Sequence, residues 1–232
     1  MPKKIEKFTQ GFVRRFLLGG SDGFTLAELV VTVGIMTVVS SLILYENSKF
    51  NSSILLTNLA YEAALVTRQA QVFGLSSRVA PSGGATNIGY GVYFDVSSPA
   101  PQTQFIFFAD TNNAPGYKDS FQPEEIVNII GITNRNYVSD ICRYISTDPP
   151  LTRFKCAIAN ADDTLEKVSI AFLRPEPEPT FKYESSVPSY NTLVADYLVI
   201  FFRTFGNAID KRCLVVTNAG QISVKSQDAC IP

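Results

Sequence analysis

Residues 24–45 form one apolar run, Phe-Thr-Leu-Ala-Glu-Leu-Val-Val-Thr-Val-Gly-Ile-Met-Thr-Val-Val-Ser-Ser-Leu-Ile-Leu-Tyr, interrupted by a single charge, Glu28. A helix needs roughly 20 consecutive apolar residues to cross the hydrocarbon core of a bilayer, and this run supplies that length. The carboxylate must then be explained, because an ionisable group on a membrane helix is costly and marks function by default. Glu28 lies near the start of the span, where the cost is smaller than at the bilayer centre. Lys3, Lys4, Lys7, Arg14 and Arg15 precede the span, against Glu6 and Asp22. This excess of positive charge predicts a cytoplasmic N-terminus and an exported C-terminal part.

A cleaved secretory signal has a shorter apolar region, followed by a small-residue cleavage site. Here the run is longer, and Tyr45-Glu-Asn-Ser-Lys49 follows it. The small residue, Gly23, comes before the span. Gly23-Phe24-Thr25-Leu26-Ala27-Glu28 resembles the class III signal of type IV pilins and pseudopilins. The resemblance implies that a prepilin peptidase cuts after Gly23, that Phe24 is N-methylated, and that Glu28 acts in filament assembly. It also implies partners: the prepilin peptidase, other pilin or pseudopilin subunits bound through the N-terminal helix, and the bacterial inner membrane before assembly. Many major pilins carry a helix-kinking proline near the end of the span; this chain has Tyr45 there, which suits an interfacial anchor.

Cleavage would create an ammonium at Phe24, one helical turn from Glu28. Pairing of that amine with Glu28, in the same or a neighbouring subunit, would set the register of packed helices. Fixing register is the best-attested use of buried ionic groups. The expected organisation is a leader over 1–23, an assembly helix over 24–45, its amphipathic continuation over 46–74 and a strand-rich head over 75–232.

The continuation is read from periodicity. Leu56, Leu59, Ala63, Val66, Ala70 and Phe73 recur every three or four residues, whereas Asn58, Glu62, Arg68 and Gln69 fall elsewhere on the wheel. No proline occurs between Phe24 and Val79. A helix from about Phe24 to Phe73 is therefore expected, about 75 Å long, with Gly34 and Tyr45–Asn51 as weak points and Gly74 as its C-terminal cap. Strand patterns follow at Ser77–Ala80, Tyr90–Asp95, Phe105–Asp110, Ile126–Ile132, Tyr137–Ile145, Lys167–Leu173, Asp196–Phe205, Arg212–Thr217 and Gln221–Lys225. Thr217-Asn-Ala-Gly220 reads as a hairpin turn, and the unbroken apolar run Tyr197–Phe202 as a central strand buried on both faces. Helix first and antiparallel strands after give an α+β fold, here pilin-like. Thr67-Arg-Gln-Ala70, Gly74 and a terminal hairpin carrying Val215, Gly220 and Val224 also resemble the H-type pseudopilin branch of type II secretion.

The four cysteines, Cys142, Cys156, Cys213 and Cys230, all follow the span. In an exported head they are expected to form two disulfides. Four cysteines allow three connectivities, of which the local pairs Cys142–Cys156 and Cys213–Cys230 are favoured. A zinc site is disfavoured by the absence of histidine. Asp110, Asn112 and Asp119 lie in an acidic, turn-rich segment, and calcium-binding loops in some pseudopilin heads make them candidate ligands by resemblance. The segment fails the EF-hand pattern and is expected to be an ordinary solvated turn, as are the adjacent Glu124 and Glu125. Arg174-Pro-Glu-Pro-Glu-Pro179 reads as a stiff extended loop, and Phe105, Phe107 and Phe108 as core rather than a base-stacking platform.

Catalysis has no carrier. Without histidine the commonest general base is missing, and neither a nucleophile elbow nor a phosphate-binding loop occurs. A net charge of −1 leaves no basic footprint for nucleic acid. The resemblance thus implies a structural subunit of a pseudopilus or type IV pilus-like filament. The alternatives are a minor pilin of a DNA-uptake pilus and a membrane-anchored extracellular binding domain that never polymerises.

Overall fold

The computed structural model describes residues 23–76, 88–97, 102–111, 125–158, 165–184, 190–226 and 229–230. Within them the chain is α+β: one long helix, α1 (Leu26–Leu75), followed by eleven strands. Proline in a helix interior removes a hydrogen bond and clashes with the preceding turn; with none between Phe24 and Val79, the helix runs unbroken for 50 residues. Tertiary contacts divide the chain into two compact units, Met1–Lys49 and Phe50–Pro232, with the division inside α1.

In the second unit α1 buries Leu56, Leu59, Ala60, Ala63, Thr67 and Ala70, while Asn58, Glu62, Arg68 and Gln69 are exposed. This is the expected stripe, widened by Ala60 and Thr67; the Thr67 hydroxyl donates to the Ala63 carbonyl at 2.8 Å. Gly74 does not cap the helix. It lies inside α1 with a buried backbone, and a Cβ there would sit 2.2 Å from the carbonyl oxygen of Phe172. Its missing side chain lets the helix approach a strand backbone closely.

The strands form two sheets, all of whose pairings are antiparallel. The first contains β1 (Gly89–Asp95), β2 (Gln104–Asp110), β3 (Ile126–Gly131), β6 (Lys167–Phe172), β7 (Pro179–Glu184) and β8 (Tyr190–Thr192), in the order β3-β2-β1-β6-β7-β8. The second contains β4 (Asn136–Tyr144), β5 (Phe154–Cys156), β9 (Tyr197–Thr204), β10 (Asn207–Thr217) and β11 (Ile222–Ser226), in the order β11-β10-β9-β4-β5. Three of these strands, β5, β7 and β8, were not anticipated. The expected strand Ser77–Ala80 lies outside the described residues.

Alternation along the strands builds one core from both sheets and the helix. Phe105 and Phe107 of β2, Val168, Ile170 and Phe172 of β6, and Leu198, Ile200 and Phe202 of β9 join the helix stripe in a single cluster. Phe73 of α1 meets Tyr90 edge-on at 5.5 Å and Phe107 at 5.7 Å between centroids. Strand β9 is buried on both faces, as its unbroken apolar run requires: Val199 and Phe201 pack on the other side with Cys142, Cys156, Cys213 and Cys230. A bulge between Val138 and Asp140 shifts the phase of β4, so that Val138 and Ile141 both face the main core.

The cysteines pair as Cys142–Cys156 and Cys213–Cys230. The first joins facing residues of β4 and β5; the second ties Cys230 to β10. Each is expected to contribute about 3 kcal/mol by restricting the unfolded chain. Polar contacts seat the helix on the strands. The Gln71 side-chain amide donates to the carbonyls of Gly220 at 3.0 Å and Pro177 at 3.2 Å, bridging the β10–β11 turn and the segment before β7. Arg212 of β10 donates to Thr57 and Ser53, each at 3.0 Å.

These contacts predict the sign of a substitution at Gly74. Helix propensity alone would make Gly74→Ala stabilising by about 1 kcal/mol. The contact with Phe172 should reverse that and destabilise the head by about 1–3 kcal/mol, read as a lower denaturation midpoint with unchanged slope. A stabilised Gly74→Ala protein would contradict the close approach.

Candidate functional site at the start of the helix

Gly23, Phe24 and Thr25 precede α1 in non-helical conformation, and all three are exposed, Phe24 at 82%. Thr25 is the N-cap. Its hydroxyl accepts from the Glu28 amide at 3.2 Å, and its carbonyl accepts from the Leu29 amide at 3.1 Å. Glu28 reaches back: its Oε2 accepts from the Thr25 amide at 3.0 Å and from the Thr25 hydroxyl at 2.8 Å. This is a reciprocal capping box, in which two otherwise orphaned helix donors are satisfied. The carboxylate also lies where the helix dipole favours negative charge.

The sequence reading identified Glu28 but missed Thr25. The Thr-x-x-Glu spacing just before an apolar run is the signal that would have found it. The capping box gives Glu28 a local role that requires no partner. It employs only Oε2, and Oε1 accepts no hydrogen bond among the described residues.

Beyond the cap, residues Leu26–Tyr45 form the one described segment long and apolar enough to cross a membrane, and none of that window is buried. Leu29, Val30, Val33, Met36, Leu42 and Ile43 are all exposed. Three of its hydroxyls bond internally: Thr32, Thr37 and Ser41 donate to the carbonyls of Leu29, Gly34 and Thr37 at 3.0, 2.8 and 2.8 Å. Such back-bonding removes the cost of carrying hydroxyls into hydrocarbon.

Other candidate positions separate from this site. Asp110 ends β2 and is buried, at 6% exposure, rather than lying on a solvated turn; Asn112, Asp119 and Glu124 lie outside the described residues. Glu125, expected at the surface, is 1% exposed. Its Oε1 accepts from the Thr111 amide at 3.3 Å, which holds together the two ends of the acidic segment. Asp140 lies close to the sulfurs of Cys142 and Cys156, but those sulfurs are joined to each other and supply no thiolate for a metal. Phe105, Phe107 and Phe108 are buried strand residues, as expected.

Charge and capping at Glu28 can be separated. Glutamine also completes a capping box, so Glu28→Gln should keep exchange of the first-turn amides within about threefold of the parent. Thr25→Ala should raise it about fivefold, the equivalent of about 1 kcal/mol. Equal effects of the two substitutions, measured by hydrogen exchange in micelles, would contradict the capping geometry. No protein-family model matches this chain, and no curated protein or solved structure is significantly similar to it.

Proposed function

We propose that this protein is a prepilin-like structural subunit. It is made with a basic leader, cut between Gly23 and Phe24 by a prepilin peptidase, methylated at Phe24, and assembled through α1 into a type II secretion pseudopilus or a type IV pilus-like filament. The observation that carries this reading is the unbroken, exposed apolar helix that begins at a carboxylate and directly follows a Gly-Phe junction.

The chemistry follows from that arrangement. Before assembly the span sits in the inner membrane, with the leader on the cytoplasmic side by its positive charge. Cleavage leaves Thr25 and Glu28 untouched, so the capping box survives processing. It also places a new ammonium at Phe24, beside the helix start. In the membrane an unpaired ammonium seeks an anion, and the Glu28 oxygen not engaged by Thr25 would pair with the ammonium of a neighbouring subunit. The pair would fix the axial register of the helices, while their apolar surfaces exchange lipid contact for helix contact. The two disulfides support an extracytoplasmic head, since such bonds persist in oxidising compartments.

A membrane-anchored binding domain that never polymerises would use the same span and the same disulfides, and would need Glu28 only for the local cap, which glutamine also completes. Glu28→Gln distinguishes the two. The variant should insert into the membrane and form both disulfides normally, while its recovery in sheared filaments falls on the order of tenfold or more. Undiminished incorporation into filaments would contradict the assembly role and favour the anchored domain.

A further inference from the structure

The face of the five-stranded sheet that points away from the main core carries a hollow of about 300 Å³. Its floor is apolar, made by Phe154, Phe201 and the Cys142–Cys156 disulfide, and its rim carries Arg203 and Lys211. These two cations are directly opposite each other in the β9–β10 register. Like charges in that position destabilise a strand pair. The Nε of Arg203 is buried and has no acceptor among the described residues. Asp140 also lines the hollow, and its Oδ1 accepts from the backbone amides of Ile141 and Ile158, both at 2.9 Å, so the two cations outnumber one acid there. An apolar floor with a cationic rim fits a rigid segment that combines carboxylates with apolar surface.

The chain displays such a segment elsewhere on the same unit. Glu176 and Glu178 are exposed, interleaved with Pro175, Pro177 and Pro179, and Leu173 beside them is 47% exposed. The turn is anchored from beneath: Gln71 donates to the Pro177 carbonyl, and a Cβ on Gly220 would lie 2.4 Å from that same oxygen. It is therefore ordered before any partner arrives, which lowers the entropic cost of docking. The turn lies at the Gln71 level of α1 and at the β10–β11 end of the sheet. The hollow lies at the other end, where Arg212, next to Lys211, contacts Ser53 and Thr57. Helix rise and strand rise both place these levels about 20 Å apart.

We propose that the Glu176–Glu178 turn of one copy docks into the Arg203/Lys211 hollow of the next. The proposal rests on the assembly reading above. Two different patches on one head make a heterologous contact, which repeats into an open filament where the rotation does not close. Charge complementarity sets the order of docking, and the prolines present the carboxylates without a folding cost.

The test uses the full-length protein in its membrane, with the photo-crosslinking residue benzoylphenylalanine in place of Leu173. Illumination should give crosslinked dimers in which the residue has reacted with the peptides containing Phe154 or Phe201. Reversal of the turn (Glu176→Lys with Glu178→Lys) or of the rim (Arg203→Glu with Lys211→Glu) should each reduce that product on the order of tenfold. Combining both reversals should restore it, which also shows that the reversed proteins fold. Crosslinks that map elsewhere, or that survive either reversal, overturn the docking. If filaments are absent but the swap pattern persists, the contact stands and the assembly reading falls. If filaments form normally with every reversal, assembly stands and the contact falls.

Discussion

A single helix in this protein has to satisfy two surroundings without a break. Its first twenty residues are mostly apolar, with Glu28 their one charge and three of their hydroxyls bonded internally, and none of that stretch is buried. Its later turns bury one stripe in a folded head. A proline within the apolar span would interrupt hydrogen bonds that lipid could not replace. The small residues of the stripe then decide how closely the helix packs: Ala60, Ala63, Ala70 and Gly74 present little or no side chain. Gln71 supplies the polar contact that holds the ends of both sheets to that helix.

The head is organised around β9 in a comparable way. It is the middle strand of its sheet, and both of its faces are covered: one by the main core, the other by a smaller cluster containing both disulfides. The second cluster is small, and covalent links hold its periphery where hydrophobic area alone is limited. The same outer face carries the Arg203/Lys211 pair beside Asp140.

Much of this was legible in sequence because the signals were local. The helix stripe, the absence of proline, the two-sided burial of β9 and the β10–β11 turn at Gly220 each follow from a short window. What escaped depended on distant partners. Strand β5 is three residues long and is defined by the pairing of Cys156 with Cys142 rather than by any apolar pattern. Strand β7 was obscured by the prolines before it, although Pro179, Phe181 and Tyr183 do alternate with polar residues, and a proline is tolerated at a strand's first position. The division into two sheets, the burial of Asp110 and Glu125, and the close contact of Gly74 with Phe172 all arise from long-range packing. At the helix start the opposite happened. Thr25 was readable from its spacing to Glu28, whereas the resemblance assigns roles only to Gly23, Phe24 and Glu28.

The capping box sharpens what has to be explained about Glu28. A carboxylate at the third position of a helix has a sufficient local reason to exist, so its presence alone does not establish an assembly role. Processing at the Gly23–Phe24 junction is what would give it a second partner. The most direct measurement is therefore the intact mass and N-terminal peptide of the protein recovered from its native membrane. The account predicts a chain that begins at N-methylated Phe24, with both disulfides formed. A chain that retains the leader, or one cut beyond the apolar span, would contradict it.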